Sequence, residues 1–145
     1  MEIDKDVINS RISKLRKYLK ILAKLKKEKK KDFIKDYKIY GLAERYLQLS
    51  IECILDIGNH LISRLNLEKP ETYQEILEIL GNNEILPEDF AHKIAKMAGF
   101  RNILIHNYLD IDRTIVYDHL QENLTDFKDF NKYIITYIKK LQKGI

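Results

Sequence analysis

The sequence predicts an all-helical fold, an up-down bundle of five to six helices, and three observations carry that expectation. Apolar residues recur at three- and four-residue spacing along most of the chain, and the alternation of a half-buried strand is absent. Leu, Ile, Lys and Glu dominate the composition, with two Pro, five Gly and no Trp. A length of 145 residues suits one domain, residues 1–145, built around a single core.

The first helix opens at Asp4, a good N-cap, and Ile8, Ile12, Leu15, Leu19 and Leu22 keep strict four/three spacing. That pattern gives a long helix with one narrow apolar seam, suited to antiparallel packing. Asp32 to Lys38 reads as a short connection, and a second long helix follows to about Leu65. Its residues Leu42, Tyr46, Leu47, Cys53, Ile54, Ile57 and Leu61 are expected to face the core. Opposite them runs a polar stripe of Glu44, Gln48, Glu52, Asp56, Asn59 or His60, and Ser63. The stripe has two readings: a solvated bundle face, or a cleft wall in which Glu52 and Asp56 orient functional side chains from another helix.

Asn66 to Pro70 reads as a linker, and Glu71 to Leu80 as a short helix through Tyr73, Ile76, Leu77 and Leu80, stopped by Gly81-Asn82-Asn83. Pro87 fits the first turn of a fourth helix, where Glu88 and Asp89 favour the positive end of its dipole. After that helix, Asp112 can cap a short one to about Leu120. Leu124, Phe127, Phe130, Ile134, Tyr137, Ile138 and Leu141 make the last.

The formal charge of +4 is unevenly spread. Residues 1–40 carry 14 Lys+Arg against 6 Asp+Glu, whereas the remainder carries 12 against 16. The excess sits in Lys24-Leu-Lys-Lys-Glu-Lys-Lys-Lys31, either a track for phosphates or a solvated helix end whose lysines favour the dipole. The lone Cys53 has no internal disulfide partner and lies in an apolar helical pattern, so core packing in a reducing cytoplasm is expected. The N-terminus lacks the regions of a signal peptide, and no apolar run approaches the roughly 18 residues of a membrane helix. His60, His92, His106 and His119 show no ligand spacing with one another or with Cys53, so no metal site is expected. A phosphate-cradling glycine loop after a strand is also missing, which removes P-loop chemistry and leaves no cofactor indicated.

One stretch concentrates the remaining chemistry: Arg101-Asn-Ile-Leu-Ile-His106-Asn-Tyr108. The comb Phe90, Ile94, Met97, Leu104 and Tyr108 puts Arg101 on the inward stripe, where a guanidinium must meet a carboxylate, a phosphate or a subunit boundary. Arg101 and Tyr108, seven apart, nearly eclipse each other, while His106 lies roughly 140° round from Arg101. Gly99 before the motif and Asp110 and Asp112 after it suit a helix that bends and then stops. An imidazole titrating near neutrality and a guanidinium suffice for cleavage of RNA by its own 2′-hydroxyl: the first moves protons, the second holds charge growing on the phosphoryl oxygens. On spacing alone, the competing reading is a structural histidine and a core tyrosine.

These residues resemble a family. Arg101, four residues, His106, one residue and Tyr108 are similar to the motif of HepT-like toxins in the HEPN superfamily of ribonucleases. Asn102, Asp110-Ile-Asp112 and the helical segment from Glu44 to His60 look like the flanks of that motif and the family's second helix, so the resemblance covers most of the chain. The lysine-rich end of the first helix and the region from Lys69 to Asn83 match nothing diagnostic.

The resemblance implies a HEPN-like homodimer with two Arg/His sets at a shared cleft, acting on RNA as a metal-independent endoribonuclease toxin. His106 would be the acid/base and Arg101 the phosphate clamp, while Asn102, one turn before His106, would orient the imidazole. It also implies a nucleotidyltransferase antitoxin of the MNT type that transfers AMP to Tyr108, placing a phosphodiester beside the pair. The alternative is a non-catalytic helical module that presents substrate or nucleotide to a separate nucleotidyltransferase. A third reading is an interaction protein whose basic helix binds nucleic acid without chemistry.

Overall fold

The computed structural model describes residues 3–106 and 109–144. Its elements are α1 (Lys5–Leu25), α2 (Lys30–Lys35), α3 (Tyr37–Arg64), α4 (Tyr73–Asn82), α5 (Glu88–His106), α6 (Arg113–Glu122) and α7 (Leu124–Lys143). Seven helices stand where five to six were expected. The extra one is α2, six residues that overlap the start of the stretch read as a connection: Phe33 is fully buried there, and Asp36 ends α2 while capping α3 through the Lys38 amide at 2.9 Å. A single buried aromatic in a lysine-rich segment leaves too little periodicity to read.

The seam of α1 is buried as its spacing predicts, with Ile8, Ile12, Leu15, Leu19 and Leu22 all inside. Asp4 caps the helix by accepting from the Asp6 and Val7 amides. The helix lies antiparallel to α3, since its start meets His60, Arg11 meets Asp56 and Tyr18 meets Tyr46. Burying five large aliphatic side chains along one line contributes about 1.5–3 kcal/mol apiece before chain entropy is subtracted.

The centre of the bundle is α3, packed against α1, α2, α4, α5, α6 and α7. Its buried set is accordingly wider than one amphipathic stripe and includes Ala43, Ser50, Ile51, Leu55 and Ile62. Leu42, expected inside, is 48 % exposed. One position on, Ala43 takes the buried place, its small side chain fully enclosed. Ser50 is buried without penalty because its hydroxyl donates to the Tyr46 carbonyl at 2.7 Å.

The short helix begins two residues later than expected. Thr72 and Glu75 form a variant of the capping box: the Thr72 hydroxyl accepts from the Glu75 amide at 3.2 Å, and the Glu75 carboxylate reaches one residue past the cap to accept from the Glu71 amide at 2.7 Å. At the other end α4 runs through Gly81 to Asn82, so Gly81 does not stop it. A Cβ on Gly81 would sit 2.5 Å from the Ala91 Cβ, and one on Gly58 would sit 2.5 Å from Ile76. Both glycines are therefore close-approach points, Gly81 between α4 and α5 and Gly58 between α3 and α4.

Just past the end of α4, Glu84 takes a positive φ of 59°. Pro87 immediately precedes α5, whose first turn carries Glu88 and Asp89. Asp112 caps α6 through the Thr114 amide at 2.9 Å. Leu124, Phe127, Phe130 and Ile134 of α7 are buried, with Tyr137, Ile138 and Leu141 half-buried. No helix among the described residues is long and apolar enough to cross a membrane.

Candidate active site

Where α3 crosses α5, the half-buried polar row of α3 meets the motif helix. Arg101 leaves α5 toward α3 with only 18 % of its side chain exposed, and its Nη2 lies 3.4 Å from Glu52 Oε1. The same carboxylate oxygen accepts from Gln48 Nε2 at 3.3 Å. On its other side the guanidinium lies over the ring of Tyr73, 4.4 Å from the centroid. The cation on the inward stripe thus finds its carboxylate within its own chain, and its position alone requires no second subunit.

Asp56, one turn beyond Glu52, pairs with Arg11 of α1 at 3.2 Å and takes no part in holding Arg101. Of the two carboxylates expected to orient the motif, only Glu52 touches it. The polar stripe of α3 divides in the same way: Glu44, Gln48 and Glu52 are half-buried, whereas Asp56, Asn59 and Ser63 are exposed.

His106, at the far end of α5, is exposed. Asn102 is exposed one turn earlier, and among the described residues no hydrogen bond joins the two. The other histidines are engaged elsewhere. His60 Nε2 accepts from the Asp4 amide at 3.1 Å, His92 lies 3.8 Å from Glu78, and His119 stacks on Phe100 with Nδ1 2.8 Å from Asn123 Oδ1. Tyr108, the residue of the motif expected to be modified, lies outside the described residues. Among the described residues no three His, Cys, Asp or Glu side chains group as metal ligands would.

Burial sets the titration of three neighbouring groups. It pushes the Cys53 thiol up to about 11, with Asp56 adding in the same direction, so at neutral pH the thiol is protonated packing material. Burial also raises the Glu44 carboxyl, opposed by Arg113. The His60 imidazole is held below its ordinary value by burial and by Arg64, which suits a ring nitrogen that accepts a hydrogen bond.

Two arrangements here escape a reading of periodicity. Tyr73 falls in step with Ile76, Leu77 and Leu80 and so reads as core, yet it is 42 % exposed and lies under Arg101. The signal that places it at a helix start is the Thr72-x-x-Glu75 capping box. Arg113 repeats the device at the other end of the α3 row. Its guanidinium lies 4.0 Å over the Tyr40 ring, Nη2 donates to the Tyr40 hydroxyl at 3.0 Å and Nη1 to the Ile34 carbonyl at 3.4 Å.

A groove of about 570 Å³ opens beside this centre, lined among others by Asn59, Tyr73, Gln74, Gly99 and Asn102. Gly99 thus borders the groove and lies in the body of α5.

Comparison with known proteins agrees with the all-helical fold. A family model described as Ribonuclease HepT-like matches residues 8–134. The tRNA nuclease HepT of Aphanizomenon flos-aquae is 31 % identical over 138 residues, covering 92 % of this chain and 94 % of that protein. The mRNA nuclease HepT of Shewanella oneidensis is 26 % identical over 125 residues, covering 86 % and 93 %. Among solved structures, the tri-AMPylated Shewanella oneidensis HEPN toxin in complex with its MNT antitoxin superposes with a TM-score of 0.82 at 25 % identity, over 90 % of this chain and 98 % of that one. With its seven helices, its Arg101-to-His106 spacing and a match over nearly its whole length, this chain belongs to the HepT-like family of HEPN ribonucleases.

Proposed function

We propose that the protein is the toxin of a toxin–antitoxin pair, a metal-independent endoribonuclease acting through Arg101 and His106. The observation that carries this reading is the placement of Arg101. It is fixed from two sides by Glu52 and Tyr73, keeps part of its surface open, and lies five residues before an exposed imidazole. A guanidinium held in this way presents its remaining donors to a phosphate in a set plane, which a lysine does not do.

In the reaction the imidazole of His106 takes the proton of the ribose 2′-hydroxyl, and the 2′-oxygen attacks phosphorus. The 5′-oxygen leaves and receives a proton, giving a 2′,3′-cyclic phosphate and a 5′-hydroxyl end. Arg101 offsets the charge on the phosphoryl oxygens. Asn102 lies one turn before His106, and a substrate that orders both side chains would let its amide orient the ring.

The named nuclease relatives support a ribonuclease, and the solved toxin–antitoxin complexes support a nucleotidyltransferase partner of the MNT type. In the control step the Tyr108 oxygen attacks the α-phosphorus of ATP and pyrophosphate leaves. The AMP that stays attached adds a negative charge, which would compete with the RNA phosphate for Arg101. A homodimer is part of the same reading, supported by large apolar side chains left exposed on three helices, Leu42, Ile103 and Ile115.

Total RNA incubated with the purified protein in EDTA tests the activity. Fragments ending in 2′,3′-cyclic phosphate are expected, and intact RNA would favour the non-catalytic partner. Incubation with the cognate nucleotidyltransferase and ATP should add AMP at Tyr108, mapped by mass spectrometry. AMP on Tyr117 or Tyr133 instead would leave simple occlusion by the antitoxin as the means of silencing.

A further inference from the structure

We propose that the groove between α4 and α5 is a nucleobase subsite, which selects the base of a single-stranded RNA next to the phosphate held by Arg101. The proposal rests on the ribonuclease reading and names the part of the substrate that reading leaves unassigned.

Position is the first support. On α5, Gly99, Asn102 and His106 follow one another at spacings of three and four, which places them on one helix face. The groove reaches Asn102, so it begins one turn, about 6 Å of helix rise, before His106 and on the same side of α5. Arg101 stands at its edge through the Tyr73 ring, which lines the groove while carrying the guanidinium on its face. A phosphate at Arg101 therefore has the groove as the neighbouring space for an attached nucleoside.

The chemistry of the lining favours a base over a second phosphate. Among the described residues no Lys or Arg lines the groove, and the Glu71 that does would repel an anion. What it offers is the partly exposed aromatic ring of Tyr73 and the side-chain amides of Asn59, Gln74 and Asn102. Each amide presents two donor hydrogens and an acceptor oxygen, the complement of a base edge. Among the described residues none of the three makes a hydrogen bond to protein. Unstacked bases laid on aromatic rings and read by amides are the usual mode of recognising single-stranded RNA. A volume of about 570 Å³ is in the range of small-ligand pockets.

Gly99 supplies a third observation. A Cβ at this position would lie 2.5 Å from Gln74 Nε2, so the bare Cα is what lets that amide lie against α5. Adding a methyl group displaces the end of a flexible side chain and leaves the backbone in place. Gly99→Ala thus moves a reading group without unfolding the site.

The test uses uncleavable 2′-O-methyl hexanucleotides of A, C, G or U, with binding read by fluorescence anisotropy on full-length protein, and circular dichroism confirming the fold of each variant. Wild type should favour at least one base about tenfold over the poorest. Gln74→Ala and Gly99→Ala should compress that spread to about threefold or less. Tyr73→Leu should weaken all four by about tenfold.

A wild type that binds the four alike, or a base preference untouched in both Gln74→Ala and Gly99→Ala, overturns the proposal. So does a free nucleoside monophosphate competing as well as the hexanucleotide, since the groove would then be a nucleotide pocket rather than part of an RNA track. Because the probe cannot be cut, selective binding lost in the variants supports the subsite even if wild type cleaves nothing. Cleavage with unselective binding sinks the subsite and spares the nuclease.

Discussion

Two side chains bear the argument at the smallest scale, Arg101 and the carboxylate that holds it. Glu52→Ala should release the guanidinium from α3 and lower RNA cleavage by up to about 10²-fold, since small losses of alignment are costly in catalysis. Thermal stability should change little, because a partly exposed ion pair contributes about 0–1 kcal/mol. A full loss of the folded transition would show that Glu52 is structural instead. His60 provides a pH test. Its folded-state value is depressed, so its neutral form contributes stability above the ordinary imidazole range that is lost as pH falls through the folded value. Denaturation midpoints should drop between pH 7.5 and pH 5.5, and by less in His60→Gln; an equal drop in both would remove His60 as the cause. Arg101 as the cation on an apolar stripe was legible from spacing, because a charged residue in step with Ile94, Met97 and Leu104 violates the pattern. Its partners were not. Glu52 and Asp56 are equivalent in sequence, four apart on one stripe, and only the approach of α1 gives Asp56 to Arg11.

At the scale of elements, the glycines separate what composition merges. Gly41 lies inside α3 with nothing near its missing Cβ, so Gly41→Ala should stabilise the protein by about 0.5–1 kcal/mol through helix propensity. Gly81→Ala places a methyl group 2.5 Å from the Ala91 Cβ and should destabilise by about 1–3 kcal/mol as α4 and α5 are forced apart. Denaturant titration of both variants checks the pair, and two changes of the same sign would contradict the packing described for α4 and α5. Long helices were legible because periodicity accumulates over many turns: α1 and α7 bury the apolar residues their spacing picks out, apart from the half-buried last turns of α7. Short ones were not. For α2 only Phe33 reaches the core, and at Gly81 a helix-ending residue type serves as a contact instead.

At the scale of the whole molecule, the basic excess of residues 1–40 and the Arg101 centre are separate features. Lys24 to Lys31 covers the last turn of α1, the turn after it and the first turn of α2, away from the residues that hold Arg101. Replacing Lys29, Lys30 and Lys31 with Gln should shift stability by no more than about 0.5 kcal/mol per site by denaturant titration, as expected of solvated side chains. The all-helical architecture and the motif helix were both visible in the sequence. The crossing of α3 over α5, which brings Glu52 to Arg101, was visible only once the chain folds. The most direct measurement compares wild type, His106→Ala and Arg101→Lys on one labelled RNA in EDTA. The expected result is cleavage by wild type, with losses of about 10²–10⁴-fold in His106→Ala and at least about 10²-fold in Arg101→Lys, all three folded alike. Cleavage by both variants at the wild-type rate would place the chemistry elsewhere in the molecule.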